Sequence, residues 1–339
     1  MFKNVYQDDI MKKAQHDAVR NTVGWYLWTH QLLVVTGEDA DSFLDKMFAK
    51  PIANLKIGKA RYTTMLNEEG IIIDDVVIFR LEEKKFWITT LFVRKMIAWF
   101  DQHKGDSSVA YTDETPSWEM YAVQGPNSKA LINAIAKEDV EDQSFFSIRD
   151  NKIDDIPVKI TRAGFTGEKM GFEIYVAPDK APLIEAKLAE AGKAFDALQV
   201  TEFQVMVWTL ATEKGFYLMG DIAYTNPFEV GLERGIKWDR DFIGKEALEK
   251  VKEEGPKRQM VGFVVDNEEA HIPDRAKGGP GVLIYVDGKA VGRVAKFTYG
   301  FTAGRSIGIA VVDSENAKIG DRAVINGYDA TLTDRVFVS

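Results

Sequence analysis

The chain has 339 residues, of which 45% are hydrophobic, and it carries a formal net charge of −9 at pH 7. This length and apolar content suffice for two or three domains, while the acidic balance and scattered basic residues argue against a nucleic-acid partner. The absence of cysteine excludes disulfides, thiolate metal sites and cysteine nucleophiles, and is consistent with a cytoplasmic protein.

Two further exclusions follow from the residue pattern. The polar N-terminal segment has no apolar signal-peptide core, and no run approaches about 18 apolar residues, so we expect no membrane partner. The histidines lie far apart and show no metal-ligand spacing, which predicts that the protein binds no metal. They are His16, His30, His103 and His271.

In chain order, the first part of the sequence predicts helices and antiparallel strands. The predicted elements are a helix (8–23), a strand (24–37), a helix ended by Pro51 (38–55), a hairpin (59–79), a strand (86–92) and a helix (93–103). This order of strands and helices indicates an α+β sandwich rather than a doubly wound sheet.

The second part repeats this pattern and then changes character. Its elements are a strand (118–126), a helix with Asn127 as N-cap (127–137), two strands (155–164 and 171–177), two helices (181–193 and 200–214) and a long non-helical crossing (216–231). From residue 260 onward, short strands alternate with turns such as Asp287-Gly288. This region predicts a β-barrel-like domain with a boundary near residues 253–257.

Two adjacent carboxylates, Asp74 and Asp75, interrupt the apolar second strand of the 59–79 hairpin. Buried carboxylates are costly unless they are paired, hydrogen-bonded or facing a cavity. Strand alternation sends the two side chains to opposite faces, so at most one of them points into a given site. The spacing by itself favours two solvated acids at a strand end, and a functional acid is the alternative.

Other polar and aromatic residues have two interpretations as well. Glu173 lies at the centre of an apolar strand, which favours a functional role. Trp25, Trp28 and His30 could stack on a planar ligand, although an aromatic core with one satisfied histidine is at least as good an explanation. On the 216–231 crossing, Asp221 could contact a ligand or simply belong to the surface, and the same alternatives apply to Glu229.

No nucleotide loop or nucleophile motif is present. The glycines of residues 162–173 lack the Lys-Ser/Thr of a phosphate-binding loop, and no GxGxxG or Ser-His-Asp order can be identified. The chemistry that remains is acid–base catalysis by carboxylates and tyrosines, or the positioning of a reactive cofactor.

Several segments together closely resemble the family of the glycine-cleavage aminomethyltransferase (T-protein). This family also contains tetrahydrofolate-dependent demethylases and the folate domains of dimethylglycine and sarcosine dehydrogenases. The matching segments include KARYTTMLNEEGIIIDDVVIFRL, YAVQGPNS, TRAGFTGEKMGFEIYV, EKGFYLMGDIAYTNPFEVGL and GRVAKFTYGFTAGRSIGIAVV. They occur in family order and cover nearly the whole chain.

The resemblance implies an α+β protein with a three-domain cloverleaf fold around a central folate site. Residues 1–50 and 117–245 would form a folate-binding α+β domain, and residues 51–116 a second ferredoxin-like α+β domain. Residues 254–339 would form the C-terminal β-barrel. The implied cofactor is tetrahydrofolate, which carries the chemistry while the protein aligns donor and acceptor.

The resemblance also assigns individual residues. Asp75 matches the family carboxylate beside the reacting edge of the folate and is the implied catalytic residue. Tyr62 and Glu173 match residues that line the pterin pocket, as does Phe165, which stands where the family usually has tyrosine. Asp74 is then left as a structural acid.

Departures from the family pattern favour a demethylase as the first hypothesis. Val207 and Ala211 stand where the family helix carries arginines, and the segment around His30 lacks the usual acid. The enzyme would move a methyl group from a small O-, N- or S-methylated substrate to tetrahydrofolate, with Trp25, Trp28 and His30 contacting that substrate. The alternatives are an aminomethyltransferase that docks a lipoyl carrier protein, and a non-catalytic folate-binding protein.

Overall fold

The computed structural model describes residues 10–28, 30–273 and 281–339, which form two β-sheets flanked by helices and a closed β-barrel. The strands, numbered along the chain, are β1 Gly24–Trp28, β2 Gln31–Thr36, β3 Ala60–Leu66, β4 Ile72–Glu82, β5 Lys85–Thr90, β6 Ala110–Asp113, β7 Glu119–Gln124, β8 Ser147–Ile153, β9 Ile156–Arg162, β10 Gly171–Val176, β11 Leu198–Gln199, β12 Arg258–Val265, β13 Leu283–Val286, β14 Lys289–Gly300, β15 Arg305–Asp313, β16 Arg322–Ile325 and β17 Tyr328–Thr333. The predicted α+β class with a C-terminal β-barrel is confirmed.

Helices cover the outer faces of the sheets and connect them. The α-helices are α1 Ile10–Asn21, α2 Ala40–Met47, α3 Val93–His103, α4 Ser128–Ile135, α5 Ala181–Gly192, α6 Leu210–Glu213, α7 Met219–Ile222, α8 Pro227–Val230 and α9 Lys245–Glu254. A π-helical turn, Val205–Thr209, precedes α6 directly. In the part of the chain that the structure describes, no helix is long and apolar enough to span a membrane.

The three sheets have distinct strand orders. The six-stranded sheet runs β11-β1-β7-β10-β9-β8 and the five-stranded sheet runs β3-β4-β5-β2-β6. The barrel closes in the order β12-β15-β14-β13-β16-β17. Because β2 belongs to the five-stranded sheet, we propose that the boundary between the first two domains lies before Gln31 rather than near residue 50.

Each α+β unit buries one face of its sheet beneath helices, and the other two faces meet. One core joins α2 and α3 to the five-stranded sheet, and another joins α4 and α5 to the six-stranded sheet. A third core lies between the sheets, where Leu32, Phe79 and Trp87 pack with Met120 and Tyr175. The inner faces of both sheets therefore point toward a shared central region.

A tight turn sets the register of the β3–β4 hairpin. The side chain of Asn67 accepts a 2.8 Å hydrogen bond from the amide of Ile71, and Gly70 has a φ of +73° that favours glycine. The resulting pairing places Thr64 opposite Asp75 and Met65 opposite Asp74.

Two predictions of local structure were wrong, and a third is confirmed with one difference. The predicted apolar helix of 200–214 is present over residues 203–213, with the π-helical turn at its centre. Residues 24–37 form two strands, β1 and β2, which belong to different sheets, rather than one strand. The 216–231 crossing is not free of helix, because it contains the single turns α7 and α8. Both single turns are capped by their own acids: Asp221 accepts from the amide of Leu218, and Glu229 from that of Asn226.

Candidate active site

The β3–β4 hairpin presents Tyr62 and Asp75 on the face that points to the central region. Asp75 is paired with Thr64, and Tyr62 lies two residues before Thr64 on the same face. The Tyr62 hydroxyl donates a 2.8 Å hydrogen bond to Oδ2 of Asp75. Both side chains keep some accessible surface, so a ligand in the central region can reach them.

The surroundings of Asp75 make it a candidate acid–base group. Burial raises the pKa of Asp75 to about 6, although the hydrogen bond from Tyr62 lowers it, and the nearby charge of Asp221 raises it further. A carboxyl group with a pKa close to neutral pH can both accept and return a proton.

Asp74 lies on the opposite, helix-covered face of β4. It is 1% exposed, and the Thr90 hydroxyl donates a 2.6 Å hydrogen bond to its Oδ2. Its Oδ1 accepts a hydrogen bond from the backbone amide of Asp75. Burial raises the pKa of Asp74 to about 7. The Asp74 carboxyl group therefore links strand β4 to Thr90 of strand β5 and does not face the central region.

Residues from distant parts of the chain complete the surroundings of Asp75. Tyr217 lies beside Tyr62, and its pKa is raised to about 12 by burial, with the charge of Arg335 opposing this shift. Asp221, 4% exposed, lies on α7, and the Nζ of Lys296 from barrel strand β14 is 3.4 Å from its carboxylate.

Glu173 lies on β10 with its side chain in the inner face of the six-stranded sheet. It is 8% exposed and accepts hydrogen bonds from Thr161 (3.0 Å) and Tyr175 (3.2 Å). Burial raises the pKa of Glu173, against the effect of these two hydrogen bonds. Both bonds reach Oε2, which leaves Oε1 to accept from a ligand.

An aromatic cluster lies along the same face. The ring of Trp28 is 4.3 Å from that of Phe165 and stacks at 5.5 Å on Phe203, which is 44% exposed. His30 packs edge-on against Tyr175 at 5.4 Å, and its Nε2 has no hydrogen-bond partner among the described residues. Burial lowers the pKa of His30, so the ring is neutral at pH 7.

Trp25 does not share this face. It is three residues from Trp28 on strand β1, packs at 6.2 Å against Tyr121, and belongs to the core under α4 and α5. With Tyr121, Pro182 and Glu185 it lines a groove of about 540 Å³ on the outer side of the sheet. The structure thus brings Trp28 and His30 to the inner face and leaves Trp25 outside it.

The sequence did not indicate that Tyr217 and Lys296 lie near the site. It left two interpretations, ligand contact or surface charge, for Asp221 and Glu229. Lys296 is one of three cations on β14, with Lys289 and Arg293, so its position in the sequence is a weak signal. Surface charge is the wrong explanation for Asp221 and for Glu229. Glu229 is 5% exposed and binds Arg258 of the barrel at 2.8 and 2.9 Å.

The comparisons with known proteins agree with this architecture. Residues 3–240 match the family described as the GCVT N-terminal domain, and residues 258–338 match the glycine cleavage T-protein C-terminal barrel domain. A protein of Halalkalibacterium halodurans named aminomethyltransferase is 31% identical over 336 residues, which are 96% of this chain and 88% of that protein. An aminomethyltransferase of Clostridium botulinum strain Okra is 33% identical over 90% of this chain and 82% of its own.

A solved structure has the same fold. The glycine cleavage system aminomethyltransferase T from Bartonella henselae superimposes with a TM-score of 0.84 at 23% identity, covering 97% of this chain and 89% of that one. At this identity the likeness concerns the fold alone, whereas the two domain matches extend to the sequence. The chain belongs to the glycine cleavage T-protein family and is a one-carbon transferase that uses tetrahydrofolate.

Proposed function

We propose that this enzyme transfers the one-carbon unit of an aminomethyl group from a lipoyl carrier protein to tetrahydrofolate, with the amino nitrogen released as ammonia and the carrier sulfur as a thiol. The observation that carries the proposal is the Tyr62–Asp75 pair. In this pair, Asp75 is accessible to solvent and has a pKa of about 6. It lies in a chain that is 31–33% identical, over 90% or more of its length, to proteins named aminomethyltransferase.

The residues present fit a folate. A reduced pterin offers amino and ring N–H groups, which need acceptors, and the free Oε1 of buried Glu173 is such an acceptor. The rings of Trp28 and Phe165 provide an apolar surface on the same inner face of the sheet, suited to a flat heterocycle. We therefore propose Tyr62, Asp75, Phe165 and Glu173 as cofactor-binding residues.

Tetrahydrofolate, when bound, supplies the nitrogen that accepts the one-carbon unit. Asp75 in its ionised form takes a proton from the reacting groups and returns it in its neutral form. The hydrogen bond from Tyr62 orients the Asp75 carboxyl group and stabilises its ionised form. The remaining contribution of the protein is to hold donor and acceptor together.

Demethylation of a small methylated compound remains a second candidate, supported by a specific observation. Val207 and Ala211 are 0% and 3% exposed and apolar, so neither position can hold an anionic group of a carrier-bound substrate or of the folate tail. Phe203, which stacks on Trp28 at 5.5 Å and is 44% exposed, extends this aromatic surface and is suited to an apolar or planar donor beside the folate. Trp28 and His30 remain proposed substrate contacts, while the buried position of Trp25 under α5 is against such a role.

One pair of assays distinguishes the two candidates. The enzyme is incubated with tetrahydrofolate and either an aminomethylated lipoyl carrier protein or a panel of O-, N- and S-methylated compounds. Release of ammonia from the carrier supports aminomethyl transfer, whereas formation of 5-methyltetrahydrofolate from a methylated donor supports demethylation. Ammonia release that persists undiminished in Asp75→Asn would contradict the role assigned to Asp75.

A further inference from the structure

A fully buried lysine lies next to the proposed site. Lys296 is 0% exposed, and burial of an ammonium group is costly unless its charge is compensated. Its Nζ donates a 2.8 Å hydrogen bond to the carbonyl of Val207 in the π-helical turn, and lies 5.0 Å above the ring of Trp208. The Trp208 indole in turn donates to the carbonyl of Phe297, so the two side chains interlock the turn with the barrel.

The carboxylate partner of Lys296 is Asp221. Oδ2 of Asp221 is 3.4 Å from Lys296 Nζ and also accepts the 2.8 Å hydrogen bond from the amide of Leu218. Asp221 is therefore held in place by α7 on one side and by the barrel on the other. The element that carries it packs on the strand of Asp75: Met219 and Ile222 of α7 share a buried core with Ile72 of β4, and the amide of Ile72 donates a 2.8 Å hydrogen bond to the carbonyl of Thr225. This packing brings the charge of Asp221 within reach of Asp75.

We propose that Asp221 and Lys296 are positioning residues that set the proton affinity of Asp75. Lys296 compensates the charge of Asp221, and the charged Asp221 opposes ionisation of Asp75. This inference rests on the proposed function, because it explains how Asp75 is held ready to exchange a proton near neutral pH.

The groups that surround Asp75 on each packed element support this arrangement. Tyr62 from β3 stabilises the ionised form of Asp75 by its hydrogen bond, and Tyr217 from the crossing faces the same carboxylate. Among the described residues, Asp221 from α7 carries a negative charge that acts against that ionisation from across the site. Asp74, whose own pKa is raised in part by the charge of Asp75, lies on the opposite face of the same strand. Arg335 lies beyond Tyr217, with its guanidinium 5.3 Å from that ring.

The test measures the titration of Asp75 directly, without turnover. The whole protein is labelled with ¹³C at aspartate carboxyl carbons, and the Asp75 signal is identified by its loss in Asp75→Asn. We expect Asp221→Asn to lower the titration midpoint of Asp75 by about one pH unit, a tenfold loss of proton affinity, because a repulsive charge is removed. We expect Lys296→Met to raise the midpoint by a similar amount, because Lys296 then no longer compensates the charge of Asp221, which repels ionised Asp75 more strongly.

Two further variants separate this effect from general loosening of the barrel. Lys296→Arg retains the charge and should restore the wild-type midpoint. Arg258→Met removes a different cation that joins the barrel to the crossing through Glu229, and should leave the Asp75 titration unchanged. An unchanged midpoint in Asp221→Asn, or an equal shift in Arg258→Met, would overturn the proposal.

The outcome for the proposed function is independent of this result. If the wild-type enzyme transferred no aminomethyl or methyl group, the function would be wrong while the titration could still show coupling. If the midpoints did not move while Asp75→Asn abolished turnover, the positioning role of Lys296 and Asp221 would be wrong and the role of Asp75 would stand.

Discussion

The Tyr62 hydroxyl donates a 2.8 Å hydrogen bond to Oδ2 of Asp75 across adjacent strands of one hairpin. Tyr62 lies opposite Val77 and Asp75 opposite Thr64, so the contact is diagonal and depends on the register of β3 and β4. A slip of one residue would send Asp75 to the helix-covered face and bring Asp74 to the central region. The turn that begins at Asn67 therefore controls the chemistry of a residue eight positions away.

Replacement of Asp75 tests its catalytic role. We expect Asp75→Asn to lower kcat by about 10²–10⁴-fold, because an amide cannot exchange the proton that the carboxyl group exchanges. Asp74→Asn is the matched control, since it removes the neighbouring carboxylate from the other face, and it should change kcat far less. Steady-state assays of both variants under the same conditions make the comparison.

A measurement of stability distinguishes a loss of catalysis in Asp75→Asn from a loss of activity through unfolding. The folded-state pKa of Asp75 is raised from 3.8 to about 6, so the protein loses stability as the pH rises through this interval and carries the full cost of the buried charge above pH 6. Removal of that charge should stabilise the protein at pH 7 by up to about 3 kcal/mol. A variant that is inactive and also less stable in urea unfolding at pH 7 would count against the assignment.

Loss of the Tyr62 hydroxyl should shift the pH dependence of the reaction. The hydrogen bond from Tyr62 favours ionised Asp75, so Tyr62→Phe is expected to raise the pKa of Asp75 above 6. The limb of the pH–rate profile that requires ionised Asp75 then moves to higher pH, while the plateau changes less. A profile of kcat/KM from pH 5 to 8 measures this, and a displacement to lower pH would contradict the proposed hydrogen-bonding role.

Glu173 should contribute to folate affinity rather than to turnover. Substitution by glutamine replaces one of the two carboxyl oxygens, which accept hydrogen bonds, with an NH₂ group that only donates, and we expect Glu173→Gln to weaken tetrahydrofolate binding about 10–100-fold. Glu185→Gln, in the groove on the outer face of the same sheet, is the control and should bind folate normally. Calorimetric titration with tetrahydrofolate measures both variants. Equal affinities of Glu173→Gln and Glu185→Gln would show that Glu173 does not contact the folate.

A buried network of hydrogen bonds and ion pairs around Glu213 should make the stability of the protein depend on pH. Glu213 binds His16 at 2.9 Å and Arg20 at 2.8 Å, and it accepts from the amides of Thr302 and Ala303. Burial raises its pKa, but these partners outweigh burial and bring it down from 4.5 to about 2.

Because the folded-state pKa of Glu213 is depressed, its stabilisation is present above about pH 4.5 and is lost as the pH falls toward 2. Glu213→Gln should therefore lower the free energy of unfolding by roughly 3 kcal/mol at pH 7, and by much less at pH 2.5. Urea unfolding across this range measures the difference. Glu254→Gln, at the exposed end of α9, should show no such trend.

Local patterns in the sequence determined much of this protein. The β3–β4 hairpin, the separation of Asp74 from Asp75 onto opposite faces, the helices at α3 and α5 and the C-terminal barrel all follow from side-chain periodicity and turn residues. Periodicity is a property of neighbours along the chain, so it identifies elements and their faces. The resemblance to the family assigned Tyr62 and Asp75 to the folate site, and the hairpin accounts for their contact because it pairs the strands that carry them.

Only the tertiary structure decided which faces meet and which charges are buried together. Asp75, Asp221 and Lys296 come from a sheet, a crossing and a barrel strand, and no spacing in the sequence relates them. Trp25 and Trp28 lie three residues apart on one strand, so alternation separates their faces, but only the fold decides which face packs under helices and which meets the other sheet. The free energy that favours these arrangements arises from burial shared between distant segments, which local sequence cannot report.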